Sequence, residues 1–201
     1  MAQRAIGIDV GVKTLLTLSN GIKIDQHKSV PDLWKRLDQH ERHLSEQVAG
    51  SNRSKETERL IASTKEKIRN AQQDHADKIA NLLCKRYKVI CIERTSIGPH
   101  ILTNAPYKKA VERANWPVLF NAIRRKAGET GTKVVEVAPH YTSQTCSKCG
   151  NRQKLELHVR DYECPNCGIV IDRDINAAIN IRKKGVAKLS KGHKPMGDVF
   201  F

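Results

Sequence analysis

The stretch Ala5-Ile6-Gly7-Ile8-Asp9-Val10-Gly11-Val12-Lys13-Thr14-Leu15-Leu16-Thr17-Leu18-Ser19-Asn20-Gly21 decides the fold. Residues 5–9 and 14–18 are short apolar and β-branched runs separated at Gly11, and Asn20-Gly21 then gives a strong hairpin signal, since both residues accept the positive φ of a tight turn. Ile22 and Ile24 supply a third strand. Beyond them the period changes. Leu33, Leu37, Leu44 and Val48 share one helical stripe behind Pro31, Gly50-Ser51-Asn52 interrupts it, and Ile61, Ile68, Ala71, Ile79 and Leu82 resume it. The spacing predicts an antiparallel helical hairpin inserted at about 31–86. Between Ser51 and Arg86 nine Lys or Arg mix with five acids, the pattern of a solvated face.

Val89-Ile90-Cys91-Ile92-Glu93 is a continuous apolar run of the kind buried on both faces, and it ends in a carboxylate. A helix over 115–126, with Pro117 in its first turn, leads through Gly128 and Gly131 to a fifth strand at 133–137. Strand, helix, strand predicts a parallel pair. The expected fold class is therefore α/β: a five-stranded mixed sheet with an antiparallel first hairpin and strand four beside strand one.

A chain of 201 residues is long enough for one domain with a real core, plus a small appendage that needs its own source of stability. The 36 Lys and Arg against 21 Asp and Glu leave a net charge of +15, which favours a polyanionic partner, nucleic acid first. No apolar run reaches the ~20 residues of a membrane span, and residues 5–8 are too short for a secretory signal. A cytoplasmic protein with no membrane partner is expected.

Cys146-Ser147-Lys148-Cys149 and Cys164-Pro165-Asn166-Cys167 are two CxxC knuckles. Such pairs place four thiolates at the corners of a tetrahedron, which one structural Zn²⁺ accepts, and Gly150 and Gly168 follow where the backbone must turn sharply. Disulfides are disfavoured without a secretory signal. His158 lies inside the ribbon, but four Cys already complete its site. The remaining Cys84 and Cys91 sit in apolar patterns and read as core.

Three carboxylates occupy special places: Asp9 ends strand one, Glu93 ends strand four, and Asp174 stands in the first turn of a helix opened by Asp172-Arg173-Asp174. With strand four beside strand one, Asp9 and Glu93 point to the same end of the sheet, and the last helix closes the group. Carboxylates so arranged hold two Mg²⁺ or Mn²⁺ ions for phosphodiester hydrolysis. The divisions expected are a core at 1–139 containing the hairpin, a ribbon at 140–171, a last helix at 172–184, and a basic flexible tail at 185–201.

Gly7-Ile8-Asp9-Val10-Gly11-Val12-Lys13 resembles the first RuvC motif of TnpB-like proteins, the transposon-encoded relatives of type V CRISPR effector nucleases. Ile92-Glu93 resembles the second motif, and Asp172-Arg173-Asp174-Ile175-Asn176-Ala177-Ala178 the third. Thr142-Ser143-Gln144-Thr145-Cys146-Ser147-Lys148-Cys149-Gly150 resembles the family's ribbon entry. The resemblance implies an RNase H-like (RuvC-type) fold, DNA cleavage by two metal ions, and a guide RNA that selects the target. It carries Asp9, Glu93 and Asp174 over as metal ligands, with Asp172 the weaker candidate for the third. Family members place a guide- and target-binding region before the first motif, whereas here four residues precede the first strand. Guided cutting is accordingly expected to need that region or a separate partner protein.

Asp9-Val10-Gly11-Val12-Lys13-Thr14 also looks like the phosphate loop of actin-like ATPases, but that reading needs a second Asp-x-Gly loop and none occurs. A non-catalytic zinc-dependent nucleic-acid-binding or regulatory protein explains the charge and the ribbon, yet leaves the three carboxylates without a role. Arg173 near phosphate and Asn176 orienting Asp174 are weaker readings than an exposed Arg and a helix-surface Asn. Trp34 and Trp116 read as packing residues rather than base stackers.

Overall fold

The computed structural model describes residues 5–94, 105–156 and 159–192. In chain order the elements are β1 (Ala5–Val10), β2 (Leu16–Leu18), β3 (Lys23–Ile24), α1 (Val30–Ser45), α2 (Asn52–Arg86), β4 (Val89–Glu93), α3 (Ala105–Ala114), α4 (Trp116–Thr130), β5 (Lys133–Val137), β6 (Asp161–Glu163), β7 (Val170–Asp172) and α5 (Arg173–Ser190). The main sheet has the order β3-β2-β1-β4-β5, and β6 pairs with β7 in a sheet of their own.

Register fixes where the strand ends fall. In the antiparallel β1–β2 hairpin Asp9 lies opposite Thr17, and in the parallel β1–β4 pair Ile8 lies opposite Ile92. Asp9 and Glu93 are each the next residue after that matched pair, so both sit at one end of the sheet. The expected β4–β5 pairing is parallel, with Glu93 opposite Val137.

Alternation along the strands sends side chains to two cores. Ile6, Ile8, Ile90 and Ile92 join Leu83 of α2 and Leu119 and Ile123 of α4 in the larger one. Each fully buried Ile or Leu there contributes about 1.5–3 kcal/mol relative to exposure. Cys91 faces the other way, into a smaller cluster with Val135, Val137 and Ile181 under α5. Helix α5 lies directly on the strands. A Cβ on Gly7 would fall 2.0 Å from the Ala178 carbonyl oxygen, and one on Gly185 2.3 Å from the Cys91 sulfur. Cys84 is core as well.

The hairpin of α1 and α2 is present, but its buried stripe differs from the expected one. Leu82 is 42% exposed because Leu83, four residues after Ile79, points inward instead. Val48 is 79% exposed, lying beyond the end of α1. Toward its amino end α2 buries Thr57 and Thr64, whose hydroxyls donate to the Arg53 and Leu60 carbonyls, which is why no apolar period marks that half. Helix α3 was not expected. Among its described side chains Val111 and Ala114 are the buried ones, too few for a periodic signal, and Asn115, in the left-handed region at φ 49°, separates it from α4. Trp116 is buried, its Nε1 donating to the Gly11 carbonyl, and Trp34 lies under the Arg113 guanidinium, both as packing residues.

The expected flexible tail begins too early. Helix α5 continues past 184 to Ser190, because Gly185 seats on Cys91, Leu189 packs on the smaller cluster and Lys188 Nζ donates to the Glu136 carbonyl at 3.0 Å. Lysine stems lie on apolar surface while their ammonium groups reach outward, so a basic run does not by itself end a helix. Residues 193–201 and His158 lie outside the described residues. Among the described residues no helix is long and apolar enough to cross a membrane.

Candidate functional site

The four knuckle cysteines converge, their sulfurs all within 4.8 Å of one another. Cys146 and Cys167 are 3.7 Å apart and Cys149 and Cys164 3.5 Å. A disulfide needs about 2.05 Å. A tetrahedron with metal–sulfur bonds of about 2.3 Å has edges of about 3.8 Å, so the donor set fits a closed four-thiolate zinc site. The two knuckles repeat one turn: Gly150 N donates to the Cys146 carbonyl at 3.0 Å and Gly168 N to the Cys164 carbonyl at 2.9 Å, with both glycines at positive φ. The Asn166 side chain and the Asn151 amide lower the Cys149 thiol to about 6. Cys167 is drawn down by the Ile169 amide, but burial and the other thiols push it up to about 12. Thiols this crowded do not all ionise unaided, and a divalent cation supplies what they lack. The ribbon's own core is small: Tyr162, fully buried, donates to the Gln144 and Asn151 carbonyls and packs among the cysteines, Leu155, Ile169 and Ile171.

Asp9 and Glu93 end adjacent strands at one end of the main sheet, and the Asp174 carboxylate lies near enough to act on Asp9. Burial, then the negative charges of Asp174 and Glu93, hold the Asp9 carboxyl well above its ordinary range against the opposing Val10 amide and Arg173. The charges of Glu93, at the end of β4, and of Asp174, in the first turn of α5, therefore both act on Asp9 at the end of β1. The group is more open than the thiolate cluster: among the described residues, the cysteines are the group that brings all its ligand atoms within 4.8 Å. Hard carboxylate oxygens that repel one another suit Mg²⁺ or Mn²⁺, which would relieve the repulsion. Asp172 is engaged otherwise. Its side chain caps α5, accepting from the Asp174 and Ile175 amides at 3.0 Å, and its other oxygen is 2.6 Å from Lys23 Nζ. Burial pushes Asp172 up, but Lys23 and the two helix amides outweigh it and hold the carboxyl below its usual range.

Several residues that bear on this centre were not legible in advance. Thr142, buried, donates its hydroxyl to Glu93 Oε2 at 2.5 Å. Asn176 is no surface residue: fully buried, it accepts from Ser147 N and donates to the Thr145 carbonyl, both at 2.8 Å. Asn180, one turn on, donates to the Thr142 and Thr145 carbonyls at 2.9 and 2.6 Å. Lys183 and Lys184 add bonds to the Ser147 and His140 carbonyls. Arg173 is likewise occupied, donating to the Glu156 and Val159 carbonyls at 2.8 and 3.3 Å. One segment, 140–147, thus connects the ribbon, the Glu93 carboxylate and the helix that carries Asp174. The available signal was Asn176 and Asn180 at a spacing of four on a stripe otherwise made of Ala177, Ala178 and Ile181.

A mixed sheet of this order, three carboxylates at one end and a four-cysteine ribbon before the last helix define an RNase H-like, RuvC-type domain. Two family models match the chain, one described as a probable transposase over residues 1–99 and one as the Cas12f1-like TNB domain over residues 116–181. Taken together the two models cover most of the chain, which is similar over that length to TnpB-like proteins and to Cas12f1. A Streptomyces pristinaespiralis protein provisionally named an RNA-guided DNA endonuclease is 33% identical over 190 residues, covering 94% of this chain and 47% of its own length. An Escherichia coli K12 protein with the same provisional name is 28% identical over 202 residues, covering 93% of this chain and 50% of its own. The chain therefore spans about half the length of the curated relatives it matches. A cryo-EM structure of a Cas12f1–sgRNA–target DNA complex superposes on 88% of this chain and 49% of its own, with a TM-score of 0.62 at 22% identity, a likeness of fold.

Proposed function

We propose that this region is the catalytic core of a metal-dependent DNA endonuclease whose cleavage centre is Asp9, Glu93 and Asp174. The reading is supported by the β1–β4 register, which ends both strands in carboxylates at one end of the sheet, by the Asp174 and Glu93 charges acting on Asp9 there, and by the engagement of Asp172 in its cap and with Lys23. Asp9, Glu93 and Asp174 would hold one or two Mg²⁺ or Mn²⁺ ions, which when bound would supply activation of a water and stabilisation of the leaving oxygen of a phosphodiester. The residues' own part is to hold the centre. Asp9 lies within the reach of both other carboxylate charges, Thr142 holds Glu93 through its hydroxyl, and the Asp172 cap sets the first turn that presents Asp174. One structural zinc on Cys146, Cys149, Cys164 and Cys167 gives the ribbon its folding energy.

DNA is the proposed substrate and a guide RNA the proposed partner. The relatives' names and the net charge of +15 support both. Guide and target selection would rest on the half of the relatives that this chain does not match, whether in one polypeptide or supplied in trans by a separate protein. The test is cleavage of circular single-stranded DNA with Mg²⁺ or Mn²⁺. Asp9→Ala, Glu93→Ala and Asp174→Ala are each expected to abolish it while DNA affinity is kept or raised, and Asp172→Ala to be milder. Cleavage that survives all three substitutions would end this reading.

A further inference from the structure

Tyr141 stands out because its backbone and its ring are both unusual. Its φ of 61° lies in the left-handed region, at a steric cost that glycine or asparagine would avoid. The turn itself explains why some residue takes this conformation, since the Tyr141 carbonyl accepts from the Gln144 and Thr145 amides at 3.2 and 3.1 Å. It does not explain why a large aromatic occupies it. Tyr141 is 45% exposed, whereas the next residue, Thr142, is turned inward onto Glu93. The Arg152 guanidinium lies over one face of the ring, 3.3 Å from its centroid. Arg152 covers one face, so the exposure of the residue lies on what that guanidinium leaves open. His140 stands beside it, ring centroids 6.3 Å apart, and Lys184 anchors the His140 carbonyl from α5.

A flat aromatic face backed by a guanidinium, with basic side chains around it, is the chemistry that binds an unpaired nucleobase: stacking for the base, positive charge for its phosphates. Consecutive α-carbons are about 3.8 Å apart, so the platform stands one residue from the side chain that holds the Glu93 carboxylate. The strained backbone turns the Tyr141 ring outward while Thr142 turns inward, joining platform and centre in one rigid turn. We propose that Tyr141, backed by Arg152, stacks an unpaired base of the strand being cut and so seats the adjoining phosphate at the carboxylate centre. This rests on the nuclease reading above, and it adds a binding residue to it.

The experiment compares two strands of about 20 units, oligothymidylate and an abasic-spacer strand with the same phosphates but no bases, bound to the zinc-loaded chain in Ca²⁺. The wild-type chain is expected to prefer the strand with bases by about tenfold. Tyr141→Ala should lose most of that preference while keeping its affinity for the abasic strand, and Tyr141→Phe, which retains the ring, should keep the preference. Tyr141→Ala keeps a Cβ and with it the positive-φ strain, so a melting curve checks that it stays folded, and Tyr141→Gly, which relieves the strain, serves as a second ring-free variant. Equal weakening on both strands, or an unchanged preference in Tyr141→Ala, would overturn the platform while leaving the nuclease reading in place. Failure of the wild-type chain to bind either strand would overturn both.

Discussion

Replacing Gly7 with alanine tests the contact that joins the sheet to the helix carrying Asp174. The added Cβ would stand 2.0 Å from the Ala178 carbonyl oxygen and 2.6 Å from Arg182 N, both backbone atoms of α5 that no side-chain rotation can clear. An ordinary carbon–oxygen contact is about 3.3 Å, so the helix must withdraw by roughly 1 Å or the strand must buckle. Overpacking of this kind costs about 1–3 kcal/mol, which for a chain of this size lowers Tm by roughly 2–12 °C. Asp174 lies one turn before Ala178, so the same withdrawal carries it away from Asp9. Misplacement by about 1 Å costs on the order of 100-fold in rate. Differential scanning calorimetry and single-strand cleavage, run side by side, give both numbers. Gly128→Ala is the control, since nothing lies within 4 Å of a Cβ there. A Gly7→Ala chain with wild-type melting and wild-type cleavage would refute the close packing of α5 on β1 and its role in placing Asp174.

Three further outcomes are expected. Strong chelation, or Cys164→Ser, should unfold the ribbon and release the 140–147 segment, so that zinc content, near one equivalent by elemental analysis, falls together with cleavage; a zinc-free chain with the ribbon intact would contradict this. Thr142→Val removes the hydroxyl on Glu93 while keeping the shape, and should cut the cleavage rate about tenfold or more with little change in DNA affinity; an unchanged rate would show that Glu93 needs no such partner. The folded chain holds the Asp9 proton more tightly than the unfolded chain does, where the value is 3.8. Ionised Asp9 therefore costs stability, a cost absent below the unfolded value and growing as pH rises through the raised folded value. Without added Mg²⁺ or Mn²⁺, Asp9→Asn should melt above wild type at neutral pH, with the gap closing on acidification; a lower-melting Asp9→Asn would contradict the sign.

How much could be read from the residues alone followed from how local each signal was. Strands β1 and β4 announce themselves because each run is buried and ends abruptly in a carboxylate. The two CxxC knuckles carry their spacing in the chain, and the cysteines do converge. The Asp172 cap is equally local, three residues from Ile175. What escaped was long-range or weakly periodic. Helix α3 buries few of its side chains, the amino half of α2 buries threonines, and the lysines of α5 hide a packed helix behind a basic composition. Thr142 and Glu93 are 49 residues apart, and no pattern within either segment reports their bond. The same holds for Asn176 and Asn180, whose partners come from a loop 29 to 38 residues away.

Anomalous diffraction from crystals of the chain grown with Mn²⁺ and a short DNA strand tests the carboxylate centre most directly. Two manganese peaks about 4 Å apart are expected, with Asp9 touching both and Glu93 and Asp174 each touching one. Manganese collected on Asp172, or no peak within bonding distance of Asp9, would contradict it.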